Sequence, residues 1–427
     1  MGMKWIVDVH DSIWTAADGM PLGGFAYTYD AVGRITARRH ALGTNRFDRA
    51  YAYDDLDRLA ADGLVSYAYD AAGNRTAKTG DVEGTIAYTR GVGDRLASWT
   101  GGAYTYDAAG NVTRIVRDGR PTLDLSWNGR YQLVSVSTNG VFAEGYAYDA
   151  LGRRTSTTTW EGTVRHVYDD NWQVIADLDS NGNVLRSYVW GEGIDRLLAV
   201  KVGAKSYAAL TDVQGTVWGL ADGTDVVARW TYDAWGNILS GEVSDPALAA
   251  FRYRFQGREF SAVTGLTNFR ARWYDHGTGR WLSKDPIRLD GGINLYAFCN
   301  SGPTLYNDPL GCARVGNRKL RGAGALLLPI ALIPGMVLPM RLTNTFPEHR
   351  HIFFDDGSNI GWGKEGFFCE DSDSDYTFKA TNYDNDVMKK AVQNIKEEWG
   401  KRPYNGITHN CQDFVDAVLA EYEKLSH

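Results

Sequence analysis

FRYRFQGREFSAVTGLTNFRARWYDHGTGRWLSKDPIRLDGGINLYAFCNSGPTLYNDPLG, residues 251–311, is the stretch on which the fold reading turns. Before it runs a tyrosine-rich tandem repeat; after it the composition changes, so it reads as the junction between a scaffold and a payload. Two Asp-Pro pairs, at Asp285 and Asp308, bracket its last third, with a Gly-Gly pair and NLYAF between them.

Outward toward the N-terminus, Tyr-x-Tyr-Asp recurs at Tyr27, Tyr51, Tyr67, Tyr104 and Tyr146, with shorter copies at Tyr168-Asp169 and Tyr232-Asp233. Most steps match one hairpin of chain or a multiple of it. Tyrosines at i and i+2 fall on one face of a strand, so each copy gives that face an aromatic pair. The Asp-x-x-Gly-Asn/Arg that follows, as in DAAGN at Asp70 and Asp107 and DALGR at Asp149, is turn chemistry. Aspartate bonds the turn's own backbone, and glycine supplies a positive φ. Regular recurrence favours a structural role for these residues over sugar binding or catalysis.

The 427 residues allow two to four domains. Forty-eight glycines, 24 tyrosines and 14 tryptophans against 11 prolines favour short aromatic strands joined by glycine turns. A net charge of −7, and a last segment with about as many acids as bases, argue against a nucleic-acid partner. The four cysteines at 299, 312, 369 and 411 leave nearly 300 residues with none. That is a poor disulfide framework and fits synthesis in a reducing compartment. The first residues, MGMKWIVDVHDSIW, lack the apolar core of a secretory signal, so export would need another route.

Together, the repeat and the 251–311 stretch resemble the repeat-associated core of bacterial Rhs and YD-repeat proteins over residues 25–311. The resemblance implies a mainly β fold, an antiparallel shell closed by a core plug and carrying a variable C-terminal toxin. It further implies that acidic residues of the DP motifs cut the chain just past the second motif, which transfers to Asp285 and Asp308 with the cut near Gly311-Cys312. A plainer reading is that Asp-Pro starts turns. Two positions depart from the pattern: Arg288 stands where glycine is common, and Cys312 where a larger apolar residue is usual. The division expected is a leader, 1–24; a YD-repeat shell, 25–250; the plug, 251–311; a linker, 312–342; and an α+β payload, 343–427. Roughly 22 strands at about 4.8 Å make a closed ring only about 24 Å wide inside. A payload of about 115 residues is about 34 Å across, so a partial cocoon, or one completed by a second shell polypeptide, is expected.

Residues 322–340, GAGALLLPIALIPGMVLPM, are uncharged and about long enough to span a bilayer, but prolines 329, 334 and 339 spoil a regular helix. The run reads as a buried linker or as a segment in transient membrane contact, ahead of a membrane anchor. Beyond it, HRHIFFDDGSNIGWG predicts a hairpin with strands 349–354 and 359–363, and helices are predicted over 385–399 and from Asn410 onward. Asn410 caps the last helix and places Cys411 in its first turn, where unpaired N–H groups favour a thiolate. Cysteine at a helix start and histidine on an upstream strand make the minimum of a nucleophile and its base. HRHI and NCQDF resemble the signatures of permuted papain-like enzymes, including the lecithin:retinol acyltransferase-like group. The resemblance implies Cys411 as nucleophile and His349 as base, with His351 as its rival about 6.6 Å along the strand; a third residue to orient the ring is not marked by the motifs, and Asn359, on the return strand, is the choice. His409 is a further competitor. Alternatives are a buried structural cysteine, a zinc site of His349, His351, Cys369 and Cys411, and an HNH-like nuclease.

The expectation is therefore the C-terminal part of a bacterial Rhs polymorphic toxin with a cysteine-dependent hydrolase or acyltransferase payload, with no cofactor and no metal. Its expected partners are a cognate immunity protein and secretion-apparatus proteins; it would be made in the bacterial cytoplasm, secreted without a signal peptide, and act in or on a target cell. A structural or adhesive YD-repeat protein with an interaction tail, and a nuclease payload, are the alternatives.

Overall fold

A computed structural model of the chain describes residues 6–7, 11–15, 21–43, 45–80, 84–223, 225–312, 315–316, 351–353, 359–363, 366–368, 394 and 424. One antiparallel sheet of 24 strands dominates, each strand pairing with its neighbours in sequence from Ile6–Val7 to Ile238–Val243. It is mainly β, as the repeat predicts. The pairing starts before residue 25, the expected start of the shell, because the strand carrying the first tyrosine pair is Pro21–Tyr29 and two shorter strands precede it.

The repeat chemistry explains why the meander is so regular. In every full Tyr-x-Tyr-Asp copy the first tyrosine is buried, the residue between is exposed, and the second is half-buried on the same inner face. The second ring lies near the strand end, and its hydroxyl donates to the carbonyl that opens the preceding strand. Such bonds join Tyr53 to Ile35 at 2.6 Å, Tyr69 to Leu59 at 2.7 Å, Tyr148 to Leu133 at 2.8 Å and Tyr232 to Val217 at 2.8 Å. Trp127 and Trp190 do the same through their indole N–H, on Val112 and Val174, both at 2.7 Å. Each aromatic thus fills the core and ties two strands together where the ladder ends.

The aspartate turns are equally uniform. Asp70 Oδ1 accepts from the amides of Ala72 and Asn74, both at 2.9 Å, while Oδ2 accepts from the Asn74 side chain at 3.0 Å. In the Arg copies the guanidinium takes that place, as Arg58 Nε does on Asp54 Oδ2 at 2.7 Å. The fourth position takes a positive φ, 75° at Gly73, and keeps it where glycine is missing: 60° at Asp57, 61° at Tyr131 and 61° at Trp172.

Residues 251–312 pack against the inner face. Their four-stranded antiparallel sheet comprises Glu259–Phe260, Leu266–Phe269, Arg272–Asp275 and Arg280–Trp281. Adjacent residues of its third strand point opposite ways. Trp273 joins the core that includes Tyr104, Val112, Leu133 and Tyr146, and Tyr274 joins the core that includes Tyr51, Leu59 and Tyr67. The small sheet is therefore buried on both sides between different stretches of the large one.

A separate unit holds the C-terminal residues. Its described part is a three-stranded antiparallel sheet of His351–Phe353, Asn359–Gly363 and Gly366–Phe368, and Asn394 and Lys424 are helical. The predicted hairpin is present in that pairing. No helix of the described residues is long and apolar enough to cross a membrane. The apolar run 322–340 lies outside the described residues.

Candidate functional site

The two DP motifs converge. Asp285 and Asp308 are 13 and 36 positions beyond Arg272 in the chain, and its Nη2 lies 2.9 Å from Asp285 Oδ2 and 3.0 Å from Asp308 Oδ2. All three are buried, Asp308 and Arg272 at 2% exposure each and Asp285 at 7%. Arg272 opens the third strand of the small sheet and is fixed over the Trp281 ring, 4.1 Å from its centroid. Burial pushes the Asp285 carboxyl up to about 6 against the pull of Arg272, and the neighbouring Asp308 adds to the rise. A carboxyl in that range holds a proton close to neutral pH.

The same groups grip one peptide bond. Arg272 Nε donates to the Gly311 carbonyl oxygen, and the Cys312 amide donates to Asp308 Oδ1 at 3.1 Å. Gly311 has φ 70°, and a Cβ there would meet Phe269 O at 2.3 Å, so only glycine fits. The chain is also held on either side of the bond, because Tyr306–Asn307 pairs antiparallel with Val315–Gly316. Cys312 is fully buried, and burial, aided by Asp308, lifts its thiol well above the usual range. That makes it a poor nucleophile.

All four core residues named from the sequence, Asp285, Asp308, Gly311 and Cys312, thus meet at one point. Arg272 was not singled out, although a charge heading the RWYD strand, next to its two aromatics, is a visible signal. Arg288, the first departure from the family pattern, has φ 57°, the conformation that favours the glycine usual there. In the C-terminal unit His349, Cys369, His409 and Cys411 lie outside the described residues. His351 pairs with Gly361, and Asn359 pairs with Phe353, two positions away from His351 or about 6.6 Å along the strand. Among the described residues no group of three or more His, Cys, Asp or Glu has metal-binding geometry.

Comparison with known proteins follows the same lines. The Teneurin YD-shell family description matches residues 18–304. The chain is 31% identical over 257 residues to the "tRNA3(Ser)-specific nuclease WapA" of Bacillus spizizenii, covering 58% of this chain and 11% of that protein. It is 28% identical over 330 residues to the "Double-stranded DNA deaminase toxin A" of Burkholderia cenocepacia, covering 67% of this chain and 22% of that one. Among solved structures, the crystal structure of TcdB2-TccC3 superposes with a TM-score of 0.58 at 18% identity, covering 72% of this chain and 18% of that chain. At that identity the likeness shows the fold alone. The chain spans 11% and 22% of the lengths of the two curated relatives.

Proposed function

We propose a function from one premise: this chain belongs to the Teneurin YD-shell family. It serves as the scaffold of a polymorphic toxin, and its plug cuts the chain at Gly311–Cys312 to free the segment beyond. The observation that carries this is the grip on a single peptide, carbonyl oxygen on Arg272 and amide on Asp308. In the reaction, Asp308 takes a proton from water as the water oxygen bonds to the Gly311 carbonyl carbon. Arg272, with the proton held by Asp285, stabilises the negative charge that develops on the oxygen. Asp308 then passes its proton to the Cys312 nitrogen, the C–N bond breaks, and a Gly311 carboxylic acid and a Cys312 amine result, the acid then losing its proton to solvent. Water is the only co-reactant. The test is intact-mass analysis of purified full-length protein. Two fragments, of about 311 and about 116 residues, are expected from the wild type and one whole chain from Asp308→Asn; an uncut wild type refutes the reading.

For the payload within the freed segment, residues 343–427, the reading is a cysteine-dependent hydrolase or acyltransferase in which Cys411 attacks and His349 or His351 takes its proton. It is supported by the NCQDF and HRHI motifs. A nuclease payload is the second reading, favoured by the nuclease named among the relatives. Comparing bacteria that express the chain with and without Cys411→Ala separates them. Loss of toxicity is expected for the cysteine enzyme; retained toxicity with degraded RNA favours the nuclease. An immunity protein that binds this segment, a second shell polypeptide on the open sheet edges and export without a signal peptide complete the proposal.

A further inference from the structure

We infer that Arg270 and Asp195 are a positioning pair that sets the cleavage loop from the shell side, so that the self-cutting geometry is complete only when the plug is seated on the loop of residues 191–196. This rests on the self-cleavage proposed above and adds its control. Arg270 donates to Asp195 with two nitrogens, Nη2 to Oδ1 at 2.7 Å and Nη1 to Oδ2 at 2.8 Å. The same Nη1 also donates to the carbonyl of Pro309, two residues before the bond to be cut. Arg270 therefore touches none of the reacting atoms; it fixes the strand of chain that carries them.

Both residues of the pair hold a left-handed backbone conformation. Arg270 begins the two-residue turn between Leu266–Phe269 and Arg272–Asp275, and its φ is 62°. Glycine is the favoured residue for that conformation. Asp195, in the loop between strands Val184–Trp190 and Leu197–Val202, has φ 58° and is 4% exposed. The two long-range partners thus meet, charge to charge, from two loops that each carry a conformational cost. The loop is also seated too closely to slide. A Cβ on Gly257 would lie 2.3 Å from Asp195 O, and Arg258 Nη1 donates to Asp195 Oδ1 at 2.7 Å. Asp195 belongs to the large sheet's connections and Arg270 to the plug, so the link exists only in the docked state.

The test uses the full-length chain and follows cleavage by intact mass over time. Arg270→Gln and Asp195→Asn should each slow the cut about ten- to a hundredfold, a displacement effect, and the double variant should be no slower than the slower single. Arg270→Lys keeps the charge, and with it the fold, but lacks the fork that reaches Asp195 and Pro309 together; it should slow the cut as well. The pH profile of the residual rate should keep the wild-type midpoint, because the reacting carboxyls are unchanged. Amide hydrogen exchange is read in an Asp285→Asn background, which lacks the carboxyl proton the proposed reaction needs and is expected to stay uncut. There, Arg270→Lys should lose protection at Leu310, Gly311 and Cys312 but not in strands 266–269 and 272–275. Wild-type rates in the single variants, additive losses in the double, or unchanged exchange at those three amides would each overturn the inference. An uncut wild type with the expected loss of protection would instead refute the self-cleavage and leave the positioning intact.

Discussion

Replacing Gly311 by alanine tests the cleavage geometry at its tightest point. At φ 70° an L-residue pays about 1–2 kcal/mol for the left-handed conformation. The larger effect is steric. The new Cβ would sit 2.3 Å from Phe269 O and 2.9 Å from Arg272 N, both backbone atoms of a buried hairpin. Ordinary contact begins at 3.4 Å, so the 308–312 segment must retreat by about 1 Å. That retreat draws the Gly311 carbonyl about 1 Å away from Arg272 Nε, which donates to it, and so loosens the contact the proposed reaction uses. A misplacement of about 1 Å costs roughly a hundredfold in rate. In a time course of intact mass on purified protein, Gly311→Ala should therefore cut about a hundredfold more slowly than wild type. Gly265→Ala is the control: φ there is 72° but nothing lies within 4 Å, so it carries the conformational cost without the clash and should cut at close to the wild-type rate. A Gly311→Ala protein that cuts as fast as Gly265→Ala would refute the reasoning.

In the proposed reaction the raised Asp285 carboxyl gives the cut a pH dependence, because its proton, held up to about pH 6, is needed. The rate should fall as pH rises through 6 and then by about tenfold per unit; a rate that climbs between pH 6 and 8 would contradict the assignment. Tyr232→Phe removes the hydroxyl that donates to Val217 O at 2.8 Å and leaves that carbonyl unmatched in the core. It should cost about 1–3 kcal/mol in urea unfolding, against roughly zero if the aromatic packs without tying strands. Tyr131 is 58% exposed with φ 61°, so Tyr131→Asn, which tolerates that conformation better, should stabilise by about 0.5–1 kcal/mol; a loss of that size would mean the ring has a packing role.

The shell was legible because its grammar is local. A tyrosine pair at i and i+2 specifies a strand face, and Asp with Gly three places on specifies the turn, each within a handful of residues. Even so, the strict glycine rule was too narrow. Asp57, Tyr131 and Trp172 hold the same turn because the opening Asp or Asn catches two backbone amides; at Asn128, for instance, Oδ1 accepts from Arg130 and Gln132. That leaves only a local conformational cost for the missing glycine. The DP carboxylates were found through their motif, but Arg272 was not. Its meaning lies in the meeting of positions 272, 285 and 308, which share no periodicity and belong to a hairpin and two separate loops. Asp195 is less visible still, since GEGIDR reads as an ordinary connection until the plug is laid against it.

What seats the plug is a question of specificity more than of gross stability. Aromatic contacts such as Tyr146 on Trp273, with ring centroids 4.7 Å apart, bury surface but tolerate small slides. Charges do not. Glu259 in the plug meets Arg154 of the shell and Arg252, which with Arg186 also engages Asp177, and Asp275 meets Arg117 at 2.6 Å. Burial would raise the Glu259 carboxyl, yet Arg154 and Arg252 hold it well below its ordinary value. Buried pairs of this kind add little net stability over apolar packing, but a broken one is costly, so a register that misaligns them is strongly disfavoured. The Gly311–Cys312 peptide hangs from the hairpin between Phe269 and Arg272, and a slide of one residue would move it by about 3.3 Å. The ionic contacts between shell and plug therefore do for the proposed cut what the tyrosine ties do for the sheet: they allow only one alignment.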